Sequence, residues 1–292
     1  MSKSSSVYVA KIDADPKDAV LWVVSRTSLP KEAKRIVVKP NLNEYRKPET
    51  ASTADPVIVD ALLSVLRSRY RDSEIIMIEN DATGVNADNI FRFVGLDRVA
   101  AKHGCRTFNV AHDKWVLKSI RGTHFTKVHI PQILDTCDLF ITHPKLKTHG
   151  KTKISCGLKN QFGLLRPKNK MPFHDYLDEA IVDINLARKP DLSIVDANIC
   201  MEGNEGPSYG SPKKLGLIVG GNDIVAVDAF CANLAGFRPY LIGHIRRSAG
   251  RGLGRRRFRA LWNGTPLDRR ITKFKFNWIL HRALEFARGG VR

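Results

Sequence analysis

Short apolar runs and longer helical patterns alternate along the first 237 residues of the chain. The apolar runs are rich in β-branched residues, as is typical of buried strands. They lie at Val7–Ile12, Arg35–Lys39, Glu74–Glu79, Arg106–Val110, Leu139–Thr142, Leu192–Asp196 and Leu215–Val219. The segments with helical periodicity lie at Pro16–Arg26, Pro56–Tyr70, Ala87–His103, Tyr176–Arg188 and Ile224–Leu234. This alternation predicts an α/β fold with a mostly parallel, doubly wound sheet and helices on both of its faces.

The pattern changes after Pro239. Arginines then stand among glycines up to Arg259, and a helix-like segment with interspersed aromatic residues runs from about Arg269 to Arg288. We therefore divide the chain into an α/β domain, residues 1–237, and a basic helical C-terminal extension, residues 238–292. The charge supports this division, because the extension carries 15 Lys and Arg against 2 Asp and Glu, or +13 of the total net charge of +19.

The sequence of the basic extension leaves four interpretations open. A basic amphipathic helix with Trp and Phe suits an anionic membrane surface, to which residues 240–292 would dock. Arginines with interleaved aromatic residues also suit RNA or DNA, but no helix-turn-helix or zinc-finger motif is present. We therefore do not expect sequence-specific nucleic acid as a partner. The helix could instead pack on the core with a solvated basic face, or bind another protein.

Composition and cysteine spacing favour a globular protein in a reduced compartment. Hydrophobic residues make up 43% of the chain and charged residues 26%, which are ordinary globular values. The five cysteines form no Cys-x-x-Cys pair, so we expect neither a zinc site nor an iron–sulfur cluster from this chain. No stretch reaches the roughly 18 uncharged apolar residues of a spanning helix. We expect a cytoplasmic protein, with peripheral attachment at the inner membrane surface as an alternative.

Polar residues cluster where the predicted strands end. Lys39-Pro-Asn-Leu42, Glu79-Asn-Asp81, His143-Pro-Lys145 and Asp196-Ala-Asn198 each close one strand. In open α/β sheets, ligands bind beyond the carboxyl ends of the strands. The sequence therefore predicts that these strand ends share one cleft.

Lysines and histidines dominate the segment from 141 to 163, which predicts a site for a carboxylate or phosphate. Lysine binds such groups as a point charge, and lysines two apart in an extended chain point the same way. We assign substrate binding to Lys39, Asn41, Lys145, Lys159 and Asn160. Histidines within about thirty positions of these lysines suit proton transfer. We assign catalytic roles to Lys147, His149 and His174.

Carboxylates near the later strands raise the question of a metal. Asp196 and Glu202 could bind a divalent cation through their oxygens, or could instead pair with the lysines. The chain has no Gly-x-Gly-x-x-Gly fingerprint after its first strand and no Walker-type Gly-Lys-Ser/Thr. Neither an NAD-type Rossmann site nor a P-loop is supported. The cofactor is thus unassigned, with a divalent metal as the one candidate.

Several of these motifs resemble one large family of bacterial and archaeal proteins. They are Lys39-Pro-Asn-Leu42, Asp55-Pro56, the block from Pro144 to His149, Gly157-Leu-Lys-Asn160 with Gly163, His174, the turn Met201–Pro207 and Asp223–Asp228. In this order, across residues 35–237, they resemble the domain of unknown function 362. Many members carry a ferredoxin-like segment with cysteine-ligated iron–sulfur clusters, which implies a redox partner. This chain resembles the version without that segment, so its redox partner would be a separate protein.

These features favour an enzyme that binds a small anionic metabolite in a cleft lined by Lys and His. Two reaction types stay open, namely proton transfer beside a carboxylate, as in isomerases and lyases, and reductase chemistry with a separate electron donor. The alternative is a non-catalytic protein that docks on an anionic membrane or nucleic acid through its basic extension.

Overall fold

The computed structural model describes residues 4–204 and 206–277. Its strands are β1 (Ser5–Lys11), β2 (Arg35–Pro40), β3 (Glu74–Glu79), β4 (Arg106–Asn109), β5 (Trp115–Ser119), β6 (Lys127–Pro131), β7 (Leu139–His143), β8 (Lys145–His149), β9 (Lys153–Ser155), β10 (Leu192–Glu202), β11 (Ser211–Gly221) and β12 (Phe258–Asn263). Its α-helices are α1 (Pro16–Val24), α2 (Pro56–Arg69), α3 (Ala87–Val94), α4 (Leu96–Lys102), α5 (Gln132–Thr136), α6 (Gly157–Asn160), α7 (Leu177–Ala187), α8 (Ile224–Leu234), α9 (Gly243–Gly250) and α10 (Arg269–Thr272).

The main sheet is mixed and mostly parallel. Its strands follow the order β12-β1-β11-β10-β7-β2-β3-β4, with β8 paired to β10 and β9 paired to β8. The pairs from β10 through β7, β2 and β3 to β4 are all parallel. β11 is antiparallel to both of its neighbours, β1 and β10. The α/β fold with a mostly parallel sheet, predicted from the alternating pattern, is confirmed.

Apolar side chains cover both faces of the sheet. One cluster joins α1 to α4 with β2, β3 and β7, and includes Ile36, Ile58 and Ile141. A second cluster joins α6 to α9 with β10 and β11, and includes Val219 and Phe230. Burial on both faces explains why the central strands are almost continuously apolar, since neither face meets water.

The helix caps are encoded locally. Asp15, Asp55 and Asp223 each accept a hydrogen bond from a backbone amide two residues later, which stabilises the first turn of α1, α2 and α8. The predicted helix at Ala87–His103 is two helices instead of one. Gly95 lies between them with φ of +84°, a left-handed conformation that glycine adopts without a Cβ penalty.

The C-terminal segment contributes a strand to the sheet. β12 pairs in parallel with β1 and forms the edge of the sheet, so the predicted helical extension contains a strand and β-structure does not end at residue 237. Phe274 is buried, and its amide donates to the carbonyl of Ala235 at 3.0 Å. Only the short helix α10 lies in the described part of the helix predicted at Arg269–Arg288, and its remainder from Trp278 onward lies outside the described residues. The division into two domains stays a prediction.

No helix within residues 4–204 and 206–277 combines the length and the hydropathy needed to cross a membrane.

Candidate functional site

A cavity of about 440 Å³ lies beyond the carboxyl ends of β2 and β3. Its wall also includes β8, α6 and a 3-10 turn at Met171–Tyr176. Seven of the residues assigned from sequence line it together, namely Lys39, Asn41, Lys147, His149, Lys159, Asn160 and His174. Of the four polar strand ends predicted to share one cleft, those after β2 and β3 line this cavity, because parallel strands bring their carboxyl ends to one edge of the sheet. The segments His143–Lys145 and Asp196–Asn198 do not line it.

Lys39 lines the cavity but is already paired. Its Nζ lies 2.9 and 2.8 Å from the two carboxylate oxygens of Glu79, and both side chains are buried. The backbone amides of Leu42 and Asn80 donate to the same carboxylate, at 3.2 and 3.0 Å. A buried ion pair with these additional hydrogen bonds holds the ends of β2 and β3 together. This leaves little of the Lys39 charge for a ligand.

Lys145 does not line the cavity. Its Nζ donates to Asp196 Oδ2 at 2.8 Å, and neither side chain is exposed to solvent. The other oxygen of Asp196 accepts the amide of Asn198 at 3.0 Å. The geometry therefore does not support the assignment of Lys145 to substrate binding or of Asp196 to a metal, and both assignments stay predictions. The pair joins β8 to β10, which run in parallel with Asp196 in register with Lys145.

Glu202 does not form a metal site with Asp196. The two residues lie six positions apart on β10, a separation of about 20 Å along a strand. Glu202 accepts the amide of Lys275 at 2.9 Å and pairs with Lys213 at 3.5 Å. Over the described part of the chain, no three His, Cys, Asp or Glu side chains lie together as a metal site requires. The geometry thus gives no support to the predicted cation.

Lys147 is buried without a carboxylate partner among the described residues. Its Nζ donates to Asn43 Oδ1 at 3.0 Å and to the carbonyl of Ser52 at 2.8 Å. The amide NH₂ of Asn43 donates to Glu44 at 3.3 Å, which turns its oxygen toward Lys147. Burial, together with the positive charge of Lys159, lowers the pKa of Lys147 from 10.5 to about 7. A large fraction of this side chain is therefore a neutral amine at physiological pH.

Lys159 brings a second lysine without a carboxylate partner to the cavity, as far as the described residues show. It is partly buried, and its Nζ lies 5.5 Å from the centre of the Phe162 ring, a cation–π distance. The described residues give it no ion pair. Burial lowers its pKa to about 8, so it remains mostly an ammonium at neutral pH. Lys170, also at the cavity, donates to the carbonyl of Asp81 at 2.9 Å, and burial likewise lowers its pKa to about 8.

The hydrogen bonds of His149 assign its tautomer. Nδ1 lies 3.1 Å from the amide nitrogen of Lys151 and 3.2 Å from that of Thr152. Amides only donate, so Nδ1 carries a lone pair, and the proton of the neutral ring is on Nε2. Burial and the charges of Lys159 and Lys147 hold the pKa of His149 well below 6.5, which keeps the ring neutral. His149 can therefore donate a hydrogen bond to a ligand oxygen from Nε2.

His174 has the opposite tautomer. Its Nδ1 lies 3.1 Å from the carbonyl oxygen of Lys170, which only accepts, so Nδ1 carries the proton. In the neutral ring Nε2 then has a free lone pair. Burial, with the charge of Lys159 acting in the same direction, lowers the pKa of His174 from 6.5. The ring contacts Phe162 edge to face, with centroids 5.8 Å apart. His174 is thus the better placed of the two histidines to accept a proton.

The side-chain amide of Asn160 mainly links the ends of β2 and β7. Its Nδ2 donates to the carbonyl of Lys39 at 3.1 Å and to Thr142 Oγ1 at 3.0 Å. Its oxygen accepts from Asn41 Nδ2 at 3.4 Å. The oxygen of Asn41 is buried and has no hydrogen-bond partner in the described structure, so it offers an acceptor at the cavity.

Two glycines of the motif are explained by close packing. A Cβ on Gly163 would meet Lys39 Nζ at 3.3 Å, and a Cβ on Gly157 would meet Asp228 Oδ1 at 2.9 Å. Asp228 accepts the amides of Gly157 and Leu158, at 2.8 and 2.9 Å. It is thus a hydrogen-bond acceptor for the first turn of α6.

Sequence reasoning missed several residues of the site. Glu79 was recognised only as a strand end, and its pairing with Lys39 was not foreseen. Lys170 was not singled out, and Asn43 received no role. Lys170 stands four residues before His174, about one helical turn away, and this spacing could have identified it.

The comparisons with known proteins concern the part of the chain that builds this cavity. The family model described as Domain of unknown function (DUF362) matches residues 36–233, more than half of the chain. A thylakoid-associated protein of Synechocystis is 26% identical over 225 residues, which is 73% of this chain and 66% of that protein. This chain therefore spans slightly less than two thirds of that relative.

Among solved structures, the apoprotein of lactate racemase from Thermoanaerobacterium thermosaccharolyticum matches with a TM-score of 0.47 and 12% identity. The match covers 78% of this chain and 57% of that one. A likeness this distant transfers neither activity nor site residues.

Proposed function

Because the chain belongs to the DUF362 family, whose description assigns no chemistry, we propose its function from the cavity itself. The protein is an enzyme that binds a small carboxylate or phosphate and transfers a proton at a neighbouring carbon, as isomerases and lyases do. One observation carries this proposal: two neutral histidines of opposite tautomer line one lysine-rich cavity.

Each group then has a distinct role. Lys159 attracts the anionic group of the substrate, and Lys170 adds positive charge beside it. His174 accepts the proton through Nε2, since its Nδ1 is committed to a carbonyl. His149 donates a hydrogen bond from Nε2 to the substrate oxygen on which negative charge develops. A neutral imidazole in such a position stabilises the charge without giving up its proton.

Solvent-exchange measurements test the proposal. Short hydroxy- and oxo-carboxylates and sugar phosphates are incubated with the protein in deuterium oxide, and loss of the carbon-bound proton is followed by proton NMR. We expect exchange for at least one compound and its loss in His174→Gln. His112→Gln, at an exposed histidine outside the cavity, is the matched control and keeps the wild-type rate. Absence of both exchange and binding across the panel contradicts the proposal.

The role of His149 has its own test. In His149→Asn the side-chain oxygen can still accept the two turn amides, but no donor replaces Nε2–H. We expect a folded protein whose exchange rate falls by about 10²-fold or more, as when one oxyanion donor is removed. An unchanged rate in His149→Asn means that His149 only holds the turn.

We also propose that the C-terminal part docks on an anionic membrane surface. The side chains of Tyr240, Leu241 and Ile271 are apolar and exposed, and they lie in segments that also carry exposed arginines and lysines. Apolar side chains next to basic ones suit the surface of an anionic membrane better than nucleic acid. The hydrogen bond between Phe274 and Ala235 brings these two segments together. The thylakoid association named for the Synechocystis relative is consistent with this proposal.

Vesicle sedimentation tests the docking. We expect binding to vesicles of phosphatidylglycerol and phosphatidylcholine, weakened by salt, and little binding to phosphatidylcholine alone. Leu241→Asp and Ile271→Asp should each reduce binding, whereas Leu21→Asp, at an equally exposed leucine of α1, should not. Equal binding to both vesicle types, or retention on nucleic acid only, contradicts the proposal.

A further inference from the structure

The hydrogen bonds of Lys147 leave one position of its nitrogen unused. Nζ has two acceptors, Asn43 Oδ1 and the carbonyl of Ser52, and both can only accept. A neutral amine has two N–H groups and one lone pair. The two acceptors take both N–H groups, so the lone pair has no partner among residues 4–204 and 206–277, at a residue that lines the cavity.

The surroundings of Lys147 differ from those of its two paired neighbours. Lys39 and Lys145 each lie 2.8 Å from a buried carboxylate oxygen. For Lys147 no such ion pair occurs in the described part of the chain, and the nearby ammonium of Lys159 opposes a second positive charge. Burial beside another cation is the environment that activates a lysine as a nucleophile toward carbonyl groups.

We infer that Lys147 is a nucleophile that forms a Schiff base with the carbonyl group of a small anionic substrate. This inference rests on the proposed function, since it places the same substrate in the same cavity. It narrows the substrate to an aldehyde or ketone that carries a carboxylate or phosphate. It also explains why the cavity contains both paired and unpaired lysines.

The reaction balances with groups of this chain alone. His174 takes a proton from the ammonium of Lys147, and the amine adds to the carbonyl carbon to form a C–N bond. The former carbonyl oxygen, held by the Nε2–H of His149, receives one proton from the nitrogen and one from His174. The C–O bond then breaks and water leaves, while the positive charge stays on the iminium nitrogen. His174, neutral again, can remove a proton from the adjacent carbon. The C–H electrons then form a C=C bond and the C=N π electrons move onto the nitrogen, which gives a neutral enamine.

Borohydride trapping tests the inference. The protein is mixed at neutral pH with pyruvate, dihydroxyacetone phosphate or propanal and then reduced, which makes an imine a stable secondary amine. Peptide mass spectrometry locates the adduct. We expect it on Lys147 with at least one of the two anionic probes, and much less with propanal, which has no anionic group for Lys159. Pyruvate and dihydroxyacetone phosphate distinguish a carboxylate substrate from a phosphate substrate.

Two variants distinguish the lysine that forms the imine from a lysine that only binds the substrate. Lys147→Met should abolish the adduct, while Lys159→Met should keep it on Lys147 at about a tenfold lower yield. Adducts spread over exposed lysines such as Lys127, without preference for Lys147, overturn the inference. If deuterium exchange occurs but neither anionic probe is trapped, the nucleophile is refuted and the proposed function stands. If an anionic probe is trapped on Lys147 without any exchange, proton transfer is refuted and the nucleophile stands.

Discussion

Two kinds of buried or partly buried lysine occur near the carboxyl ends of the strands, and they differ in their partners. Lys39 and Lys145 contact buried carboxylates, whereas Lys147 and Lys159 have no such partner in the described structure. The paired lysines hold strands together. The unpaired ones keep a shifted pKa and face a cavity. The comparison teaches that the carboxylate partner, and not the residue type or its place in the motif, decides whether a buried lysine is structural.

Removing one member of the buried pair is the strongest test of the comparison. Lys145→Met should lower the free energy of unfolding by about 3–5 kcal/mol, because Asp196 is left buried and uncompensated. Urea denaturation measures the change. Lys102→Met, in an exposed pair with Asp60, is the control and should cost less than about 1 kcal/mol. Adding Asp196→Leu to Lys145→Met should restore most of the loss. A small effect of Lys145→Met alone would mean that the pair is not structural.

Stability as a function of pH sharpens the contrast for Lys147. The pKa of Lys147 is about 7 in the folded protein and 10.5 when unperturbed, so between these pH values the unfolded state binds more protons. Stability from this group therefore increases with pH, by up to about 1.4 kcal/mol per pH unit. The free energies of unfolding of wild type and Lys147→Met, measured at several pH values, should diverge with this slope between pH 7 and 9. A constant difference between the two proteins would show that the pKa of Lys147 is not lowered.

Anion affinity measures the charge at Lys159. Lys159→Gln should weaken binding of pyruvate or inorganic phosphate about tenfold, the loss of about 1.4 kcal/mol from one charged hydrogen bond. In the wild type, affinity should fall as the pH rises above about 8, where Lys159 loses its proton. Isothermal titration calorimetry checks both effects. Lys127→Gln, at an exposed lysine on β6, is the control and should bind like wild type.

The smallest effect is expected for the stability of Lys147→Met at neutral pH. The substitution removes two hydrogen bonds, which lowers the stability of the folded protein. It also removes the free-energy cost of burying a lysine that has to lose its proton on folding. We expect the free energy of unfolding to stay the same or rise by about 1 kcal/mol, opposite in sign to Lys145→Met. A loss as large as that of Lys145→Met would place both lysines in the same structural class.

The alternating pattern made the central fold predictable, and its limits have physical causes. Strands buried on both faces are continuous apolar runs, so β2, β3 and β7 could be recognised. β8 could not be recognised, because its sequence Lys-Leu-Lys-Thr-His is mostly polar and the partners of its two lysines lie far away in the chain. The break at Gly95 lies within an unbroken helical periodicity.

The site was predictable as a set of residue types but not as a set of roles. Lys39 and Glu79 are 40 positions apart, and Lys145 and Asp196 are 51 apart. Which lysine meets a carboxylate depends on the order of the strands, which the local sequence does not contain. The tautomers of His149 and His174 depend in the same way on backbone groups whose positions only the fold determines.

The protonation state of Lys147 is the most direct test of the contrast between lysines with and without a carboxylate partner. The protein is labelled with ¹³C at lysine Cε, and the Lys147 signal is assigned by its absence in Lys147→Met. Its chemical shift is then followed with pH. We expect a titration midpoint near pH 7. A chemical shift that stays at the ammonium value through pH 9 would contradict this expectation, because Lys147 would then have no lone pair at neutral pH.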